Sequence, residues 1–272
     1  MNNKDSYTEN LTPAIEIIVI GAGTSVPAAD HSPASVFARC GLFSALMDIG
    51  PGTLSKLPLH EVDAFGLENI FVTHLHPDHV LDLATFFQMS NYAADRRSRI
   101  PLDVFSCDGS QKFFDELMKL FPDIEKPAYE VKIHEMMRDG LEKDGVMISS
   151  TLSGHTPKSI AFKLEFKFGS VVYTGDCVKN NDLIKFCTGV DVLISECSFP
   201  DDWVTGDHMN AHDLGKMASS AKVGQLIVVH QYPPSLSVDI GSQISQHYSG
   251  PVMIAKDGTR VSLNVSSKDD KK

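Results

Sequence analysis

Apolar and polar positions change over in short blocks along this chain, and the blocks predict more strands than helices. Residues 15–20 form an apolar, β-branched run broken only by Glu16, the pattern of a buried strand, and end in the small-residue loop Gly21-Ala22-Gly23. Strand-like runs follow at 35–40 and 43–49, the second closing in Asp48-Ile49-Gly50-Pro51-Gly52, and a short one stands at Ile70-Phe71-Val72. Over residues 79–96 the apolar positions Leu81, Ala84, Phe87 and Tyr92 recur at helical spacing. A strand at 102–106 and a helix at 110–121, stopped by Pro122, complete the first half.

The second half repeats this layout without repeating the sequence. Residues 160–166 and 171–174 read as a hairpin around Gly169, 183–187 as a helix, and 190–195 as a buried strand. Asn210 is placed to cap a helix running to about 221, with Asp213 three positions on. A strand at 226–230 follows, then a hairpin of 252–255 and 259–263 joined at Asp257-Gly258. The charged tail 266–272 has the composition of a disordered segment. No linker divides the chain, so residues 1–265 are expected to form one layered α/β domain.

Composition narrows the class. With 272 residues, 42% of them hydrophobic, the chain suits one large α/β domain or two small ones. Residues 1–9 are polar, the 15–20 run is too short and lacks a basic flank for a signal peptide, and no stretch approaches a membrane span. Five cysteines without a Cys-x-x-Cys pair read as reduced thiols, which points to the cytoplasm. A net charge of −11 argues against an electrostatic grip on a long nucleic acid, although bound metal could still create a local positive pocket.

Candidate chemistry concentrates in Thr73-His74-Leu75-His76-Pro77-Asp78-His79, directly after the run at 70–72. Side chains at i and i+2 of an extended segment share a face, so His74 and His76 can grip one cation together. Asp78 and His79 lie beyond Pro77, where the chain must turn, and can face a second. Imidazole and carboxylate suit zinc, manganese or iron(II). Three more ligand-type residues stand just past strands in turns: His155, Asp176 and His230. Loops at one sheet edge are where a scaffold presents reactive groups.

The ordered series His-x-His-x-Asp-His, Gly154-His155, Gly175-Asp176, His230 resembles the metallo-β-lactamase superfamily of dinuclear metal hydrolases. The ribonuclease Z-like branch is the nearest in look, through residues 21–27, residues 48–53 and His208-Met209-Asn210-Ala211. The resemblance implies a four-layer αββα sandwich with the metal site at one edge of its two sheets. It implies two divalent ions, zinc before manganese or iron, one held by His74, His76 and His155, the other by Asp78, His79 and His230, with Asp176 bridging. A hydroxide between the metals would attack the ester. Asp78, His208 and Glu196 are assigned to the chemistry itself, His208 as general acid and Glu196 as the carboxylate that orients it. The thiols of Cys177 and Cys197 should point away into the core, and His31, His60, His134, His212 and His247 are expected to be structural or exposed.

Departures from that branch bear on substrate. Its tRNA-processing members carry a long basic arm between the segments matching His155 and Asp176, which here are only 21 positions apart. Residues 28–32, Ala-Ala-Asp-His-Ser, stand where those enzymes have basic residues. A small phosphodiester, cyclic or a short nucleotide ester, is therefore expected over precursor tRNA, with an arylsulfatase-like sulfate ester as the nearest rival. A lactonase would leave His208 without a role, and a non-catalytic metal-binding module would have no reason to keep all seven ligands. Phe86, Met89 and Tyr92, read as exposed, leave a homodimer face or an active-site wall open.

Overall fold

The computed structural model describes residues 14–92, 101–121, 129–204 and 206–264. The first half supplies β1 (Ala14–Gly21), β2 (Ser35–Cys40), β3 (Phe43–Met47), α1 (Thr53–Lys56), β4 (Asn69–Val72), α2 (Pro77–Val80), α3 (Asp82–Tyr92), β5 (Leu102–Cys107), α4 (Ser110–Leu120) and β6 (Val131–Met136). The second supplies β7 (Gly140–Lys143), β8 (Val146–Leu152), β9 (Ile160–Phe166), β10 (Gly169–Tyr173), α5 (Asn181–Phe186), β11 (Val192–Glu196), α6 (Ala211–Ala221), β12 (Gln225–Val229), α7 (Pro233–Leu236), α8 (Ile240–Ser245), β13 (Val252–Ile254) and β14 (Arg260–Asn264).

Among the described residues the strands form two seven-stranded sheets, ordered β14-β1-β2-β3-β4-β5-β6 and β7-β8-β9-β10-β11-β12-β13. Both follow one plan, in which the first four strands pair antiparallel and the rest parallel. Strand alternation sorts the apolar residues into three layers. Ile15, Ile17 and Val19 of β1 join Phe71, Phe162, Tyr173 and Ile227 between the sheets. Ile18 and Ile20 face the other way, with Leu46, Ile70, Phe86 and Phe114 under the first-half helices. Leu193, Leu214, Met217 and Ile244 fill the space between the second sheet and its helices. Burial on both faces explains why β12 from Leu226 and β1 beyond Glu16 are continuously apolar. The layer between the sheets is keyed by Phe71, stacked on Phe105 with centroids 4.7 Å apart and edge-on to Phe162 at 5.1 Å. The result is the αββα sandwich that the resemblance implied.

Two expectations change. Residues 252–255 and 259–263 do not form a hairpin: β13 pairs with β12 in one sheet, while β14 crosses over to pair with β1 in the other. The turn at Asp257-Gly258 is therefore a bridge between sheets. Phe86 is fully buried and Met89 packs against the same cluster, so neither is an exposed patch residue. The side chain of Tyr92, residues 93–96 of the expected helix, and the tail 266–272 lie outside the described residues. Strands β6 and β7 carry little apolar signal in their polar, half-exposed alternation (Lys132, His134, Glu142, Lys143), and in β8 the apolar residues are interrupted by Ser149-Ser150-Thr151.

Candidate metal centre

The expected donors meet where strand ends of both sheets converge. From the first sheet, β4 leads through Thr73 and His74 to His76, which stands at the N-cap of α2 with Pro77 at its first turn. That turn carries Asp78 and His79, both buried. From the second sheet come His155 in the β8–β9 loop, Asp176 after β10, Glu196 at the end of β11, His208 in the following loop, and His230 after β12. His74, His76, His155 and Asp176 each offer a ligand atom, all within 4.8 Å of one another, and Asp78, His79 and His230 do the same.

Asp176 lies between the two groups and divides its oxygens. Oδ2 faces His74 Nε2 at 3.7 Å and His155 Nε2 at 3.6 Å, whereas Oδ1 faces the Nε2 atoms of His79 and His230, both at 3.2 Å. Asp78 Oδ2 lies 3.6 Å from His230 Nε2 and 3.9 Å from His79 Nε2.

The outer ring nitrogens are fixed from behind. His79 Nδ1–H donates to Asp48 Oδ2 at 2.7 Å, and His155 Nδ1–H donates to the carbonyl of Asp207 at 2.6 Å. Thr73 Oγ1 lies 3.0 Å from His74 Nδ1, and Ser198 Oγ 3.3 Å from His230 Nδ1. Such outer contacts set the tautomer and leave the inner nitrogen as a lone-pair donor.

A divalent cation fits this cluster. His74 Nε2, His79 Nε2, His230 Nε2 and Asp176 Oδ1 are buried and make no hydrogen bond among the described residues. An unsatisfied buried polar atom costs roughly 1–3 kcal/mol, so four facing one another call for a shared partner. Four carboxylates (Asp48, Asp78, Asp176, Glu196) are also buried here, a negative charge that two dications would balance.

The protonation pattern carries the same signature. Burial works against charge on His79, yet Asp176 and Asp48 lift its pKa well above the ordinary value. His74 is pushed well below the ordinary value by burial and by His79. For Asp176 burial favours the neutral acid, but His230, His79 and His74 outweigh it and hold the carboxyl well below its usual range. Without metal, a proton would take a cation's place.

Two glycines are dictated by close approach. At Gly175 (φ +54°) a Cβ would sit 2.4 Å from Thr73 Oγ1, so only glycine lets β10 deliver Asp176 against the end of β4. At Gly50 a Cβ would sit 2.1 Å from the carbonyl of Asp78. Asp48 and His230 adopt φ values of 57° and 51°, in the left-handed region that non-glycine residues avoid. Both stand just past strands, at positions where strain marks function.

His208 and Glu196 meet as expected. His208 Nδ1 lies 3.1 Å from Glu196 Oε2. Glu196 is fully buried and accepts from the amides of Cys177 at 2.5 Å and Met209 at 3.2 Å, and from Ser198 Oγ. Burial opposes charge on His208, but the bond and field of Glu196, with Asp176 and Asp207, raise its pKa to about 9. Beside it stands an aromatic stack: Phe199 lies parallel to Trp203 at 5.0 Å and to Tyr232 at 5.4 Å.

Cys177 and Cys197 are buried in the core layer behind the second sheet, as their alternation required. His134 pairs with Asp103 at 2.6 Å and stacks on Phe105, a structural role. His212 and His247 are half-buried and come together with Asp201 in a separate cluster. Sequence reasoning also gave no role to Asp48, Tyr173 or Ser198. Tyr173 Oη donates to Asp48 at 2.8 Å, a contact across 125 positions that no local pattern announces. Ser198 was findable from its place two residues after Glu196.

A family model described as a beta-lactamase superfamily domain matches residues 42–231. A protein named ribonuclease Z from Mycobacterium marinum is 30% identical over 247 residues, covering 80% of this chain and 87% of that one. The crystal structure of the metallo-beta-lactamase fold protein YhfI from Bacillus subtilis superposes with a TM-score of 0.81 at 25% identity, covering 92% of this chain and all of that one. The short form of human tRNase Z gives 0.77 at 19% identity, covering 92% and 100%.

Proposed function

The chain belongs to the β-lactamase superfamily, as a ribonuclease Z-like metal-dependent hydrolase of ester bonds, and from that premise we propose that it cleaves small phosphodiesters. The observation that carries the reading is the divided carboxylate of Asp176, one oxygen toward His74 and His155 and the other toward His79 and His230. In this reading His74, His76 and His155 hold one divalent ion and Asp78, His79 and His230 a second, with Asp176 shared and zinc the native metal. Two such ions supply Lewis acidity and a water whose pKa falls to roughly 7.

The remaining work falls to the chain's own side chains. Glu196 keeps His208 protonated at neutral pH and orients its ring through Nδ1, so Nε2 is the nitrogen that gives a proton to the leaving oxygen. Asp78 stays ionised, because the neighbouring imidazoles of His230 and His79 outweigh its burial, and it keeps those two rings facing inward. The Trp203–Phe199–Tyr232 stack offers an apolar wall beside the leaving group, suited to a base or aryl ring.

Substrate size is argued from the 21 positions between His155 and Asp176, which the β9–β10 hairpin fills without room for an arm, and from the net charge of −11. The five free thiols suit the cytoplasm. A second reading, cleavage of precursor tRNA, is favoured by the relatives named ribonuclease Z. The deciding experiment compares purified, zinc- or manganese-loaded protein on bis(p-nitrophenyl) phosphate, cyclic nucleotides, aryl sulfates and precursor tRNA. Turnover of the phosphodiesters with negligible tRNA cleavage is expected. Efficient tRNA cleavage at physiological salt, or faster sulfate hydrolysis, would overturn the small-phosphodiester reading.

A further inference from the structure

A second cluster of metal-capable side chains lies outside the seven donors. Asp201, His212 and His247 each present a ligand atom within 4.8 Å of the others, and all three are half-buried. His212 Nδ1 and His247 Nε2 stand 3.1 Å apart. Two nitrogens on one tetrahedral zinc, each at about 2.0–2.1 Å, would be separated by roughly 3.3 Å, so the pair is already spaced for a shared ion. The third group gives an independent pointer. Asp201 Oδ1 is buried and has no hydrogen-bond partner among the described residues, while the Asp201 amide is fixed to Gln243 Oε1 at 3.0 Å.

The packing that builds this cluster is specific. His212 is in the first turn of α6 and His247 lies just past α8, two helices brought together at Gly215. A Cβ at Gly215 would sit 2.8 Å from both His247 Cβ and the carbonyl of Ile244. The bare face of α6 therefore lets His247 come down onto His212. Asp201 reaches in from the loop that ends β11 and carries His208 toward the centre.

We infer that Asp201, His212 and His247 form an additional mononuclear site for a divalent transition ion, with zinc the best match to two imidazoles and one carboxylate. Three protein ligands leave a fourth position for water, so the site is an exposed-edge clamp. It ties the His208-bearing loop to α6 and α8. The inference does not depend on what the main centre hydrolyses.

The test counts metal rather than activity. After zinc loading and gel filtration, full-length protein should retain three equivalents by elemental analysis, and His212→Gln/His247→Gln should retain two. In an Asp176→Ala background, where the main centre is disabled, one equivalent should remain, and adding the two Gln substitutions should remove it. Equal zinc content with and without His212 and His247 in either background would overturn the site. Should the double variant misfold by circular dichroism, crystals of the unaltered protein grown with zinc decide. An anomalous peak bound by His212 and His247 supports the proposal, and peaks confined to the main centre refute it.

Discussion

Asp48 and His79, 31 positions apart and both fully buried, are joined by a 2.7 Å bond from the imidazole Nδ1–H to Oδ2. Asp48 also accepts from the Thr73 amide and the Tyr173 hydroxyl, at 2.8 Å each. One carboxylate thus orients an imidazole, fixes the end of β4 and ties the first sheet to the second. Removing such an outer partner typically costs 10–100-fold in metal affinity. Asp48→Asn should weaken metal retention by about that factor, as read by zinc competition with a chelating dye. Unchanged affinity would reduce Asp48 to a folding residue.

Asp176→Ala tests the shared carboxylate. Losing a bridging anion should empty both positions of the main centre together, so elemental analysis should show two fewer equivalents than the unaltered chain. Loss of one only would assign Asp176 to a single metal.

His208→Ala should separate chemistry from binding. General acid catalysis is worth ~10²–10⁴-fold, so kcat on poor leaving groups should fall by an amount in that range with metal content intact. The deficit should shrink for p-nitrophenolate, which needs little protonation. Equal slowing of good and poor leaving groups would send the search for the acid elsewhere.

The same pair sets an alkaline limb. His208 is raised to about 9 against an ordinary 6.5, so it is charged through neutrality. The stability its pairing contributes is fully present below pH ~6.5 and is lost as pH rises through the folded value. Cations bound alongside lower that value, which puts the limb of kcat for poor leaving groups between neutrality and about 9. Glu196→Gln should shift it toward lower pH in a pH–rate profile, and an unmoved limb would dissociate it from His208.

Gly175→Ala should be disruptive out of proportion to one methyl group. The substitution meets Thr73 at 2.4 Å with φ at +54°, and strain at such a site costs of order 1–3 kcal/mol. A lowered Tm together with weakened metal binding is expected. A Tm within a degree of the unaltered protein would refute the contact.

The main centre was legible because metal ligation demands particular side chains at short spacing, and His74, His76, Asp78 and His79 obey that within one turn of chain. The layered fold was legible from the double-faced apolar runs of β1 and β12. Asp201, His212 and His247 were not, since their meeting depends on Gly215 admitting α8, a matter of packing rather than pattern. The crossing of β14 to the first sheet was hidden for a similar reason, because Asp257-Gly258 has the composition of an ordinary hairpin turn.

With metal bound as proposed, the division of these side chains between the sheets would make the centre a rivet through their seam. Residues up to β6 bring His74, His76, Asp78 and His79, and residues from β7 onward bring His155, Asp176 and His230. Neither segment holds a complete set, and β14 reaches back to close the first sheet. If the chain were cut between β6 and β7, the two pieces would have cause to find each other, and zinc would tighten their embrace.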